Sequence, residues 1–141
     1  MQERVRAENA DIGIAFDGDA DRALFVDEKG EIVDGDATMW IMARYLKDHG
    51  KLANSPVVAT VMSNIGLEIA LREAAIDIVR CPVGDKYVME EILRRDLSLG
   101  GEQSGHVIFS DYLFTGDGLA TSLHVLRTML ATGRELAEFF L

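Results

Sequence analysis

The chain has 141 residues, of which 48% are hydrophobic and 27% charged, a composition typical of one soluble globular domain rather than a disordered chain. Its formal net charge of −10 argues against nucleic acid and anionic membrane surfaces as partners, because both attract clustered Lys and Arg. No apolar run approaches the roughly 18 residues of a membrane-spanning helix, and the N-terminal segment lacks the apolar stretch of a signal peptide. With the single cysteine Cys81, a cytoplasmic location is expected.

The first part of the chain is predicted to form a strand followed by a hairpin. Residues 11–16 are expected to be a buried strand that ends at a cluster of aspartates. Residues 23–27 and 31–35 flank a short polar turn in which Gly30 is expected to take the left-handed conformation.

Helices and strands alternate over the rest of the chain. Asp36 is predicted to cap a helix that Gly50 ends, and the methionines, among them Met39 and Met62, are expected on core faces. This alternation predicts an α/β fold with a mixed, mostly parallel sheet covered by helices. The further predicted elements are a strand at 57–62, a helix at 63–75 capped by Ser63 or Asn64, a strand at 76–83, a helix at 85–96, a strand at 106–111 and a helix at 117–133.

The two ends of the chain suggest a piece of a longer protein. The first 35 residues lack a covering layer of their own, and residues 134–141 resemble the start of a helix without its continuation. We therefore expect the end of one domain over residues 1–35, a complete α/β domain over 36–133, and a truncated linker or helix over 134–141.

Three aspartates at alternate positions follow the first predicted strand. In an extended loop, the carboxylates of Asp17, Asp19 and Asp21 converge on one side. Such a group of oxygen ligands suits a hard divalent cation, Mg²⁺ or Ca²⁺, and without a cation the mutual repulsion should raise at least one carboxyl pKa. The simpler alternative, a solvated acidic turn, is less consistent with the regular spacing and with the adjoining Arg22.

The EF-hand is a second alternative for this loop. Its D-x-D-x-D start is present, and Glu28 lies at the twelfth position. However, Arg22 occupies the sixth position, where an EF-hand needs glycine, and the flanking segments are predicted strands rather than helices. Arg22 instead suits a phosphoryl oxygen next to a metal ion, or an ion pair with one of the aspartates.

A second polar cluster, GGEQSGH at residues 100–106, precedes a predicted strand. Its Glu102, Ser104 and His106 alternate in the same way as the aspartates. A carboxylate and a hydroxyl can bind sugar hydroxyls, and an imidazole can move protons. Alone, this cluster is weak evidence for a site, and an ordinary glycine-rich turn with polar residues is the favoured alternative.

The two clusters together resemble the α-D-phosphohexomutase superfamily, in which DGDADR (17–22) corresponds to the metal-binding loop and GGEQSGH (100–106) to the sugar-binding loop. Three intervening or following stretches, TVMSNIGLE (60–68), VGDKYV (83–88) and TGDG (115–118), are most similar to the bacterial phosphoglucosamine mutases within it. The resemblance extends over nearly the whole chain. It implies transfer of phosphate between O6 and O1 of a hexose phosphate through an enzyme phosphoserine and a bisphosphorylated sugar.

The resemblance implies a role for each matching residue. Asp17, Asp19 and Asp21 would bind Mg²⁺, and Arg22 would contact the phosphoryl group.

In the sugar-binding loop, Glu102 and Ser104 would hold sugar hydroxyls, and His106 is a candidate for proton transfer or substrate contact. Lys86 would support the substrate. The implied partners are a sugar phosphate and the other domains of the parent enzyme.

Two other functions remain open. A phosphomannomutase/phosphoglucomutase would share these motifs, although its sugar loop more often carries methionine where Gln103 stands. A non-catalytic module that binds a divalent metal would need only the aspartate loop.

The sequence contains no Ser-His-Asn-Pro type phosphoserine motif, which the resemblance requires for turnover. We therefore expect that the purified 141-residue protein does not convert glucosamine 6-phosphate. Detectable conversion in a coupled assay would contradict this expectation.

Overall fold

The computed structural model describes residues 1–52 and 56–140. Within these ranges the chain forms two sheets that share helices and a core. The elements in chain order are α1 (Gln2–Glu8), β1 (Ile12–Phe16), β2 (Ala23–Asp27), β3 (Ile32–Val33), α2 (Gly35–Asp48), β4 (Val57–Thr60), α3 (Ile65–Glu73), β5 (Ile78–Cys81), α4 (Asp85–Arg95), β6 (Leu99–Gly101), β7 (Val107–Phe109), α5 (Gly118–Thr132) and a short 3-10 helix (Leu136–Phe140).

The first sheet is an antiparallel meander of β1, β2 and β3. Strands β1 and β2 pair from Ile12 opposite Asp27 to Phe16 opposite Ala23, so that the aspartate loop is the connection between them. Gly30 has a φ of 87° in the next turn, as predicted. The strands on both sides of the aspartate loop confirm the prediction that distinguished it from an EF-hand.

The second sheet has the order β5-β4-β6-β7. Strand β4 is parallel to both β5 and β6, whereas β7 is antiparallel to β6. The predicted mixed, mostly parallel sheet is therefore confirmed. Strand β6 was not predicted, because two of its three residues are glycine, which is a weak strand former.

Helix α2 begins earlier than predicted. The helix is capped by Asp34, whose carboxylate accepts a hydrogen bond from the backbone N–H of Ala37 at 3.0 Å, and not by Asp36. Pairing of β3 ends at Val33, so the chain turns into the helix two residues earlier than expected. Asp36 lies in the first turn, where its Oδ2 accepts a hydrogen bond from the backbone N–H of Asn64 at 2.7 Å.

Other helix ends agree with the sequence, with one omission. Asn64 is the cap of α3, which resolves the choice between Ser63 and Asn64. Gly50 and Gly133 both have a φ of 65° at the ends of their helices, as predicted. Helix α1 was missed because it is only 7 residues long and buries a single residue, Val5.

One continuous core connects the two sheets. Phe25 and Val33 of the first sheet pack with Met39 and Met42 of α2, and the same cluster includes Val57 of the second sheet. None of the helices within the described residues has both the length and the apolar character that crossing a bilayer requires.

The turn between β4 and α3 is held by a partly buried arginine. One Arg80 nitrogen donates to the carbonyl oxygens of Thr60 and Ser63, both at 2.9 Å. The guanidinium also pairs with Glu68 at 3.0 Å, and the side chains of Arg80 and Glu68 are 26% and 17% exposed. Met62 projects from this turn and is 65% exposed, so the expectation that it lies in the core is wrong, whereas Met39 is fully buried.

We expect the substitution Glu68→Gln to lower the free energy of unfolding by about 1–2 kcal/mol, because it leaves the half-buried Arg80 without its carboxylate. Chemical denaturation of the 141-residue chain measures this. Glu73→Gln, an exposed position at the end of the same helix, is the matched control and should change stability by less than about 0.5 kcal/mol. Equal stability of the two variants would contradict the role of Arg80.

Candidate active site

The aspartate loop brings its three carboxylates together. Oxygen atoms of Asp17, Asp19 and Asp21 lie within 4.8 Å of one another. Ala20, between two of them, has a φ of 59°, which is unusual for a residue with a Cβ and is typical of constrained functional loops. Its N–H donates to the carbonyl oxygen of Asp17 at 3.2 Å, which closes the turn.

The surroundings of Asp17 and Asp21 shift the pKa values of these two carboxyls in opposite directions. Partial burial acts to raise the pKa of Asp17, but hydrogen bonds from the Arg22 backbone N–H and with the Asp21 carboxyl, together with the Arg22 charge, lower it below its usual value. Burial raises the pKa of Asp21, and the hydrogen bond with Asp17 and the charges of Asp17 and Asp19 raise it further, while His106 opposes the rise. The close spacing of the three aspartates predicted that the pKa of at least one of their carboxyls would be raised.

This donor set fits a hard divalent cation. Its ligands are all carboxylate oxygens, as Mg²⁺ and Ca²⁺ prefer. The Oδ1 atom of Asp21 is buried and has no hydrogen-bond partner among the residues that the structure describes, so it retains a free lone pair for such an ion. A cation would also relieve the repulsion from Asp17 and Asp19, which adds to burial in raising the pKa of Asp21.

Arg22 lies beside the aspartates with its guanidinium partly free. Its Nε is 3.8 Å from Asp17 Oδ2 and 3.9 Å from Asp21 Oδ1, and its side chain is 48% exposed. These contacts are long for hydrogen bonds, so the donors of the guanidinium remain available to a ligand.

The second cluster forms the turn of the β6–β7 hairpin. The N–H of Glu102 donates to the carbonyl oxygen of His106 at 2.8 Å, and the N–H of Gly105 donates to the carbonyl oxygen of Glu102 at 3.0 Å. Glu102 Oε1 also accepts a hydrogen bond from the N–H of Gly84 at 3.0 Å. The carboxylate of Glu102 is thereby oriented while its other oxygen stays available.

The two loops are in direct contact. The backbone N–H of Ala23 donates to the carbonyl oxygen of Gly105 at 3.1 Å, and His106 Nε2 lies 3.6 Å from Asp21 Oδ2. The N–H of Gly118, in the TGDG stretch, donates to the carbonyl oxygen of Ala20 at 2.8 Å. Both motifs and the start of α5 therefore form one site.

A groove of about 500 Å³ lies between the two loops. It contains three of the predicted site residues, Arg22, Glu102 and Ser104. The two loops thus place a guanidinium, a carboxylate and a hydroxyl in one space, where they can bind hydroxyl groups and one anionic group. The other residues of this groove, which were not predicted as site residues, are Leu24, Asp34, Thr60, Met62, Val83 and Gln103.

The structure places Lys86 and His106 elsewhere. Both line a second pocket of about 220 Å³. Lys86 is exposed, with its Nζ 3.7 Å from Glu90, whereas His106 is buried with 2% exposure. The substrate roles that the resemblance implies for these two residues stay predictions.

Some of the missed groove residues carried a signal in the sequence. Thr60 and Met62 belong to the TVMSNIGLE stretch, and Val83 begins VGDKYV. Only the resemblance marked these stretches, and nothing in their residue types indicates a site. Their place in the groove depends on the parallel pairing of β4 with β5 and with β6.

The sequence model of the phosphoglucomutase/phosphomannomutase alpha/beta/alpha domain III matches residues 34–140. The chain belongs to the phosphoglucomutase/phosphomannomutase family. The model of alpha/beta/alpha domain II of the same family matches residues 1–30. The two matches meet next to Asp34, the cap of α2.

Individual members of this family are similar to the chain over nearly all of its length. The phosphoglucosamine mutase of Desulforudis audaxviator is 54% identical over 138 residues, which are 98% of this chain and 31% of that protein. The phosphoglucosamine mutase of Shouchella clausii is 57% identical over 129 residues, or 92% of this chain and 29% of that protein. The chain therefore spans about a third of the length of these relatives.

A solved structure has the same fold. The phosphoglucomutase/phosphomannomutase family protein of Burkholderia thailandensis superposes with a TM-score of 0.86 and 27% sequence identity, over 97% of this chain and 30% of that one. The α/β fold that the resemblance implied is thereby confirmed.

We expect the substitution Gly35→Ala to separate helix α2 from the sugar-binding loop. The N–H of Gly35 donates to the carbonyl oxygen of Gln103 at 3.0 Å, and a Cβ there would overlap the Glu102 carbonyl oxygen and lie 2.7 Å from Gly105 N. Because these are backbone atoms that cannot rotate away, the free energy of unfolding should fall by about 3 kcal/mol.

Gly18→Ala is the matched control for this prediction, because a Cβ at Gly18 meets nothing within 4 Å. Its stability should stay within about 0.5 kcal/mol of the unsubstituted chain. If both variants unfold at the same denaturant concentration, the close packing inferred at Gly35 is wrong.

Proposed function

We propose that this chain supplies the metal-binding and sugar-binding loops of a phosphoglucosamine mutase, which converts glucosamine 6-phosphate to glucosamine 1-phosphate. The observation that carries the proposal is the groove in which Arg22 of one loop meets Glu102 and Ser104 of the other, next to the three clustered aspartates. The sequence identities of 54% and 57% to two phosphoglucosamine mutases support glucosamine 6-phosphate as the substrate.

In this proposal Asp17, Asp19 and Asp21 hold Mg²⁺, which when bound supplies positive charge for the phosphoryl group. The phosphoserine that donates the phosphoryl group would come from another part of the parent enzyme. Arg22 grips the phosphoryl oxygens through the donors that its long contacts to the aspartates leave free. Stabilising charge on a moving phosphoryl group is the main contribution a protein makes to such transfers.

Glu102 and Ser104 are proposed to hold sugar hydroxyls in the groove. A carboxylate and a hydroxyl bind hydroxyl groups without depending on which end of the sugar carries the phosphate. The same residues therefore serve the sugar before and after the bisphosphorylated intermediate turns round. Lys86 is proposed to support the substrate from the second pocket, and proton transfer or substrate contact is the role that the resemblance gives His106.

The proposal has consequences for organisation and location. Residues 1–35 would end the metal-binding domain, residues 36–133 would form the sugar-binding domain, and residues 134–141 would begin a linker. The enzyme would act in the cytoplasm, in the supply of amino-sugar precursors for the cell wall, with the sugar phosphate and the remaining domains of the parent enzyme as partners.

The substitution Asp19→Asn in the parent enzyme tests the catalytic role of the loop. We expect turnover of glucosamine 6-phosphate to fall by at least about 100-fold with little change in melting temperature, because the loop would lose a ligand of the ion that serves the phosphoryl group. Asp11→Asn, an exposed aspartate just before β1, is the control and should retain full activity.

Two results would contradict the proposal. Loss of stability with turnover retained would indicate a structural ion in a non-catalytic module. Turnover of mannose or glucose phosphates in preference to glucosamine 6-phosphate would indicate a phosphomannomutase/phosphoglucomutase instead.

A further inference from the structure

The groove between the two loops is lined by a second carboxylate, that of Asp34. Asp34 lies there with Arg22 and Glu102, which are the other two charged residues of the lining. The remaining lining residues are uncharged and are Leu24, Thr60, Met62, Val83, Gln103 and Ser104. The part of the groove that the structure describes therefore holds two negative charges and one positive charge.

Backbone hydrogen bonds hold Asp34 at the start of α2, next to the sugar-binding loop. Its Oδ1 accepts a hydrogen bond from the N–H of Ala37 at 3.0 Å, and its carbonyl oxygen accepts one from the N–H of Thr38 at 2.9 Å. The next residue, Gly35, donates its N–H to the carbonyl oxygen of Gln103 at 3.0 Å. The position of Asp34 relative to the sugar-binding loop is therefore fixed.

The second carboxylate oxygen of Asp34 is available to a ligand. Among the residues that the structure describes, the N–H of Ala37 is the one hydrogen-bond donor to this carboxylate, and no cationic side chain forms an ion pair with it. Asp34 is partly buried, so its charge is only partly hydrated. Capping the helix does not require this charge, because Asn and Ser cap helices about as well as Asp.

A second carboxylate in the groove is unfavourable for a ligand that carries only negative charge. It repels the phosphate of a sugar phosphate unless the same sugar also carries a positive group. Glucosamine phosphate carries such a group, because its amino group at C2 is an ammonium at neutral pH. A hydrogen bond between an ammonium and a carboxylate is roughly twice as strong as one between neutral groups. A hydroxyl at C2, as in glucose phosphate, supplies no such charge.

We propose that Asp34 is a specificity-determining residue, whose carboxylate binds the ammonium group at C2 of glucosamine phosphate. This inference rests on the proposed function in that it takes glucosamine phosphate as the substrate. Glu102, the other carboxylate of the groove, already accepts a hydrogen bond from the N–H of Gly84 and is assigned to sugar hydroxyls. Asp34 thus adds recognition of the amino group to the contacts that the two loops make.

The substitution Asp34→Asn in the parent enzyme removes the charge and keeps a helix cap. We expect kcat/KM for glucosamine 6-phosphate to fall by about 10-fold or more, because a hydrogen bond between two charged groups is lost. The inhibition constant of glucose 6-phosphate, which has a hydroxyl at C2, should stay within about 3-fold. Asp34→Ser, a second neutral cap, should give the same result.

Asp48→Asn is the matched control, because Asp48 is an exposed aspartate at the other end of α2. It removes the same charge from the same helix and should leave both constants unchanged. Melting temperatures of all variants, measured alongside, show whether each one is folded.

The results distinguish this inference from the proposed function. If the unsubstituted parent enzyme does not turn over glucosamine 6-phosphate, the proposed function fails, and the inference fails with it. If it does, and Asp34→Asn weakens both sugars equally or neither of them, Asp34 acts only as a helix cap. The inference is then wrong while the proposed function stands.

The pH dependence of sugar binding gives a second measurement, which a purely structural role of Asp34 would not change. The unsubstituted parent enzyme should bind glucosamine 6-phosphate at least about 10-fold more tightly than glucose 6-phosphate while the amine is protonated. This preference should disappear as the pH rises through the pKa of the substrate amine, because Arg22 and Glu102 act on both sugars alike. A preference that is independent of pH would overturn the inference, even if neither Asp34 variant folds.

Discussion

Backbone hydrogen bonds between segments far apart in the sequence hold the site together. Ala23, at the end of the aspartate loop, is bonded to Gly105 in the sugar-binding loop, and Ala20 within the loop is bonded to Gly118 at the start of α5. Because backbone groups have no rotamers, such bonds fix the separation of two loops more closely than side-chain contacts can. The aspartate loop therefore depends for its position on residues roughly 80 to 100 positions later in the chain.

These backbone hydrogen bonds also position the charged side chains of the site. In a chain of net charge −10, three carboxylates are brought together at the end of a strand, where burial and then the neighbouring carboxylates raise the pKa of Asp21. The left-handed conformation of Ala20 adds backbone strain at the same place. Packing elsewhere, in the core that joins Phe25 to Met39 and Val57, offsets this local cost and keeps the carboxylates close together.

Much of the fold could be predicted from local signals. Glycines that end helices, the alternation of helices and strands, and the spacing of the aspartates can be read from short segments, and these predictions are confirmed. Strand β6 and the exposure of Met62 were missed for a different reason. Gly100 forms a strand because β4 pairs with it. Met62 is exposed because Arg80 fixes the turn between β4 and α3, from which Met62 projects into the groove.

Most of the order of elements, the family and the group of carboxylates could be predicted from the sequence, because each depends on residue types at short and regular spacing. Which side chains line the same space depends on the packing of segments that are far apart in the sequence. This packing placed Arg22 with Glu102 in the groove and His106 behind Asp21, although Glu102 and His106 are close neighbours in the sequence. Glu102 and His106 lie in the turn of the β6–β7 hairpin, beyond the paired strand residues, so strand alternation does not fix the directions of their side chains.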